Sequence, residues 1–223
     1  MELLNVVTAR AVWLFDISEL NPRGKSIFPE LFGWLEEEYH FEKVPKSITD
    51  VDDTKGLVFS RGNFQAKEEI FVDVELKIYN DGLVANSQSS TRDTEAFLES
   101  VLKSVTEEFS LVFNPEIIRR RMCVSELYAK SIRLLSGINP ILSQLANKLT
   151  ELVPGSVKSP FEVGGIIISP VQSITPQLLS SFRFERKANT SPDEHKYFST
   201  APMHTDDHLG LLDWFEQNVM TEP

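Results

Sequence analysis

The stretch Ile70-Phe71-Val72-Asp73-Val74-Glu75-Leu76-Lys77-Ile78-Tyr79 runs straight into Asn80-Asp81-Gly82 and then Leu83-Val84-Ala85-Asn86. Ile70, Val72, Val74, Leu76 and Ile78 alternate with Asp73, Glu75 and Lys77, the period of a strand with one face on a core and one in water. Asn80-Asp81-Gly82 tolerates positive φ, so the chain is expected to turn back here as a hairpin. Ser90, Thr91 and Asp93 then offer caps for an amphipathic helix. Its stripe is Phe97, Leu98, Val101, Leu102, Val105 and Phe109.

Working outward, residues 6–15 are rich in β-branched and aromatic side chains and read as a strand buried on both faces, or nearly so. Asn21-Pro22-Arg23-Gly24 breaks it. Ser26 is the expected cap of a helix carrying Phe28, Leu31, Phe32, Leu35 and Tyr39 at helical spacing. A polar loop at 50–55 and a strand at 56–64 complete the first part. Beyond Asn114-Pro115 the pattern predicts a strand at 122–128. Asn139-Pro140 then reads as cap and first residue of a helix with the stripe Ile141, Leu142, Leu145, Leu149 and Leu152, stopped by Pro154-Gly155. Strands follow at 161–169, 178–187 and 195–200. Thr205 or Asp206 caps a last helix presenting Leu209, Leu212, Phe215 and Val219.

As a string this is β-α-β-β-β-α, then β-α-β-β-β-α again. Corresponding elements lie roughly 105–113 positions apart, the length of a compact structural unit. No convincing residue identity accompanies the repetition, which is one of architecture and not of sequence. The expected fold is α+β in two related halves, 1–114 and 115–223. Each is a mainly antiparallel sheet with helices on one face, the pair packed closely enough to form one composite domain.

The composition is that of a globular chain, 41% hydrophobic and 25% charged, with fifteen Phe to bury. A net charge of −11 repels phosphate backbones, so direct nucleic-acid binding is disfavoured on this reading. One cysteine, Cys123, leaves no internal disulfide and fits a reducing compartment. The start Met1-Glu2-Leu3-Leu4-Asn5 lacks a basic segment ahead of a long apolar one. Apolar runs such as Gly164 to Ile168 fall far short of the roughly 20 residues that span a bilayer. The expectation is a cytoplasmic protein without a membrane partner.

Candidate chemistry is sparse. Three of the four histidines fall in Glu194-His195 and His204-Thr205-Asp206-Asp207-His208. Imidazole and carboxylate suit a divalent transition metal, and His204 with His208 at i, i+4 would share a helix face. Against this, an Asp206 cap places His204 in the preceding loop, and the internal Glu of H-E-x-x-H is missing. The other reading is a polar helix start, with Asp206 and Asp207 on the positive end of the dipole and the histidines in solvent. No cofactor is expected, a divalent metal on this cluster being the alternative.

Arg119-Arg120-Arg121 and the group Arg183, Arg186 and Lys187 are the basic concentrations. Brought together they would grip a phosphate or an acidic peptide; apart, they pair with the surplus carboxylates. Asp50-Val51-Asp52-Asp53 lacks the Gly and distant Glu of a calcium loop. Gly164-Gly165 lies in an apolar strand, where it admits close backbone approach. No nucleophile elbow, Walker loop or dinucleotide fingerprint occurs. Phe71, Tyr79, Trp34 and Trp214 sit off the core stripes, the kind of aromatic group that anchors an interface.

The sequence therefore points to a non-enzymatic binding or accessory protein: an adaptor, regulator or immunity-type partner of another macromolecule, with another protein or a second copy as partner. A metal-dependent hydrolase or nuclease using His204, Asp206, Asp207 and His208 is the first alternative. The second is a small-ligand or anion sensor with a pocket between the halves.

Overall fold

The computed structural model describes residues 1–45, 56–135, 138–154, 160–171 and 180–220. The chain runs β1 (Glu2–Leu14), α1 (Phe28–Tyr39), β2 (Leu57–Lys67), β3 (Ile70–Tyr79), β4 (Gly82–Ser87) and α2 (Thr91–Phe109). It continues as β5 (Arg120–Lys130), α3 (Pro140–Leu152), β6 (Gly165–Ile168), β7 (Phe182–Arg186), β8 (Lys196–Ala201) and α4 (Thr205–Asn218). The order β-α-β-β-β-α thus occurs twice. Strand neighbours repeat with it, β2-β3-β4-β1 in the first half and β6-β7-β8-β5 in the second. The fold is α+β, and its halves share one architecture.

Contacts divide the chain into an N-terminal unit, Val6–Ser125 with Met203–Thr205, and a C-terminal unit, Met1–Asn5, Glu126–Pro202 and Asp206–Pro223. The expected loop at 50–55 with its Asp50-Val51-Asp52-Asp53 run, the helix stop at Gly155 and the start of the strand at 178–179 lie outside the described residues.

In the N-terminal unit the hairpin forms as its alternation requires. Register places Phe59 beside Leu76, Leu76 beside Ala85 and Ala85 beside Ala11, a row whose members are all buried. Trp13, Leu35, Phe97 and Leu98 join that row in one core, so α1 and α2 cover the same sheet face. β1 departs from the expectation of two buried faces. Ala9, Ala11 and Trp13 are buried, while Arg10 is exposed and Val12 half-buried. The opposite face instead carries a polar ladder: Arg10 Nε donates to Asn86 Oδ1 at 2.8 Å, and Asn86 Nδ2 donates to Glu75 Oε1 at 2.7 Å. Lys77 closes it, 3.1 Å from the same Glu75 oxygen.

The helix starts follow their chemistry. Ser90 Oγ accepts from the Asp93 amide at 3.1 Å, and Asn139 Oδ1 from the Ile141 amide at 2.9 Å. α1 begins later than expected, with Ile27 rather than Ser26 at the cap and a proline in its first turn. Proline presets helical φ, and its missing amide is one the first turn leaves unpaired anyway.

In the C-terminal unit the core is smaller. Phe184 is fully buried, stacks on Tyr197 at 4.6 Å and meets Phe215 edge-on at 5.1 Å. Gly165 pairs with Glu185. A Cβ on it would come within 2.7 Å of the Glu185 Cβ, the close approach its position in the sequence suggests. No helix among the described residues is long and apolar enough to cross a membrane.

Candidate functional site

The histidine–aspartate cluster is taken apart by the fold. α4 begins at Thr205, so His204 lies ahead of it. Thr205 Oγ1 accepts from the Thr91 amide at 3.1 Å, and Thr91 Oγ1 accepts from the Thr205 amide at 2.9 Å. His204 Nδ1 sits 3.2 Å from the same Thr91 hydroxyl and 4.0 Å from Glu95 Oε2. Four residues on, His208 is fully buried rather than solvated, its Nε2 2.8 Å from Ser199 Oγ and its ring edge-on to Phe182. Ser199 has one hydroxyl proton and gives it to the Arg183 carbonyl at 2.9 Å. The imidazole must therefore donate from Nε2, which removes that nitrogen as a metal ligand in this arrangement. Asp206 and Asp207 are exposed in the first turn of α4, where the helix dipole favours them. Among the described residues no three His, Cys, Asp or Glu side chains converge on a metal position.

His208 is thus a packing residue anchored to Ser199. His208→Ala is expected to destabilise the chain by about 2 kcal/mol, through the void and the Ser199 hydroxyl left without its donor. Added zinc should not alter the loss. Thermal melts with and without metal check this.

The basic groups fall in separate units. In the N-terminal unit Arg119 pairs with Glu19 at 2.7 Å. Arg121 lies 3.8 Å from Glu99, and its guanidinium stacks 4.3 Å over the buried Trp13 ring, while Arg120 is half-buried. In the C-terminal unit Arg183 approaches Glu185 at 3.8 Å, and Lys187 sits 3.9 Å over the Tyr128 ring. Arg186 pairs with Glu162, and that hydrogen bond, opposed by partial burial, holds the Glu162 carboxyl below the usual carboxylate range. Each of these side chains except Arg120 thus has a carboxylate or an aromatic ring against it, as the surplus of acids leads one to expect.

The aromatic candidates divide. Trp34 is half-buried and meets Tyr39 and Phe109 edge-on at 6.3 and 6.2 Å, which makes it an outer layer of the core. Tyr79 is half-buried beside a cavity of the N-terminal unit. Phe71 and Trp214 are exposed. Cys123 is half-buried.

One exposed apolar stripe was expected to pack. α3 has the expected stripe, but Ile141 is 73% exposed, Leu145 54%, Leu149 42% and Leu152 67%, and Ala146 alone on this helix is buried. Ile167 and Ile168 of β6 are exposed as well. The corresponding helix of the other half behaves in the opposite way: Leu31, Phe32, Leu35 and Tyr39 of α1 are all buried. One architecture thus uses the same stripe for packing in one unit and leaves it in solvent in the other.

The chain matches no protein-family profile and no curated protein. Among solved structures it is similar to Methanococcus jannaschii TBP, with 15% sequence identity and a TM-score of 0.45, over 98% of this chain and 97% of that one. The expectation that direct nucleic-acid binding is disfavoured is withdrawn. The charge argument behind that expectation used the whole-chain sum, and a sum says nothing about how charge is distributed over any one surface.

Proposed function

We propose that this chain is a non-enzymatic binding protein, an accessory partner of another macromolecule, and that it holds the partner through the apolar face of α3. The exposed stripe Ile141, Leu145, Leu149 and Leu152 carries the reading. Four large aliphatic side chains on one helix lose solvent when a partner covers them, at about 25 cal/mol per Å² of apolar surface. The charged residues of α3, Lys148 and Glu151, neutralise each other across 2.7 Å. Despite a net charge of −11, the charged side chains of α3 itself are thus paired with each other.

The test is co-purification of the tagged full chain from its native cells, beside a Leu145→Glu/Leu149→Glu variant. The wild type should recover one stoichiometric partner. The variant, with an unchanged melting temperature because neither side chain is in the core, should bind that partner at least ~100-fold more weakly. Repeated recovery of the wild-type chain alone, or equal capture by both proteins, would overturn the proposal. Nuclease treatment before capture separates a protein partner from a nucleic acid.

A further inference from the structure

The N-terminal unit has an open pocket of about 660 Å³ between α1, α2 and the sheet. Its walls come from Leu31 and Leu35 of α1, Leu57 and Leu83 of the sheet, and Leu102 and Val105 of α2, all buried. This volume lies in the range of cavities that take small organic ligands.

The mouth narrows the class of ligand. Asn21 lines it but is occupied on both side-chain atoms: Nδ2 donates to the Lys25 carbonyl at 2.8 Å, and Oδ1 accepts from the Lys25 amide at 3.0 Å. Ser18 Oγ donates to Asp16 at 2.7 Å. Among the described lining residues Asp81 alone is charged, and it is exposed. None of the described lining residues is cationic, so among them an acidic head group would meet a carboxylate and no counter-ion.

We infer that this cavity binds a small molecule with a long apolar body and a neutral or amine head group, the body among the leucines and the head beside Asp81. The site is independent of the α3 face, which belongs to the other unit.

Titration of the full chain with the uncharged fluorophore N-phenyl-1-naphthylamine, competed by twelve-carbon amphiphiles, tests this. Dodecylamine and dodecanol should displace the probe, and dodecanoate should need at least ~10-fold more. Asp81→Asn should erase the preference of dodecylamine over dodecanol. Val105→Phe, which fills the cavity, should weaken probe binding by at least ~10-fold, and Leu145→Ser/Leu149→Ser should leave it unchanged. Should Val105→Phe not melt cooperatively, methyl shifts of the wild type decide instead: dodecylamine must move Leu31, Leu83 and Val105 and spare the leucines of α3. The inference fails if no saturable binding occurs, if a folded Val105→Phe binds as tightly as wild type, if the α3 variant loses the probe, or if dodecanoate competes as well as dodecylamine.

Discussion

Phe97→Ala is expected to lower the unfolding free energy by ~3–5 kcal/mol, the range for emptying a fully buried aromatic site. Phe97 projects from α2 with no exposed surface. Its ring meets Tyr39 at 5.1 Å and 90°, Phe64 at 5.5 Å and Phe41 at 6.5 Å. Those three residues belong to α1, the segment just after it and β2, so the ring joins both helices to the sheet. Edge-to-face pairs contribute about 0.5–1.5 kcal/mol beyond area burial, which places the expected loss toward the upper end. Urea denaturation measures it directly, and the melting temperature should fall by roughly 10 °C. Phe97→Leu, which keeps most of the volume, should show less than half the effect. A loss below ~1 kcal/mol for the alanine variant would contradict the aromatic cluster.

Gly82→Ala is expected to destabilise by about 3 kcal/mol or more, for a different reason. Gly82 closes the β3–β4 hairpin at φ +152°, backbone that residues with a Cβ rarely adopt. A Cβ there would also lie 2.1 Å from the carbonyl oxygen of Trp13. The obstruction is backbone, and it belongs to the β1 strand paired with β4 at Leu14–Gly82. Relief requires β1 and β4 to separate where Trp13 and Leu83 face each other. Gly24 provides the control. Its φ is +58° and nothing lies within 4 Å of the position a Cβ would take, so Gly24→Ala should cost only the left-handed backbone penalty, about 1–2 kcal/mol. Equal losses at the two glycines would refute the steric argument.

How far the sequence carries can be read from particular elements. The hairpin at 70–86 forms as expected because period-two alternation and Asn80-Asp81-Gly82 are local signals, each complete within a few residues. The Asn139 cap is local in the same sense, a side chain bonding amides two and three positions on. The repeated element order is legible for this reason, since it is a string of local signals. β1 differs because its apolar residues suggest burial on both faces, whereas pairing with β4 places Arg10 beside Asn86 and makes one face polar.

The stripe of α3 and the ring of His208 show where local signals end. Helical spacing establishes that Leu145 and Leu149 share a face, yet the same spacing in α1 leads to burial and in α3 to exposure. The proximity of His204 and His208 in the chain suggests one site. The fold gives one of them to Thr91 and Glu95 and the other to Ser199. The cavity lined by Leu31, Leu83 and Val105 has no signature in the chain at all, because it is defined by what three distant segments leave unfilled.

Element type, element order and the duplicated α+β plan were therefore present in the amino-acid string, because backbone propensity and hydrophobic period act over a handful of neighbours. Which apolar face is covered, which histidine is buried and where a void opens were decided by packing between segments far apart in sequence. Burial is a property of the assembled surfaces and not of any residue considered alone.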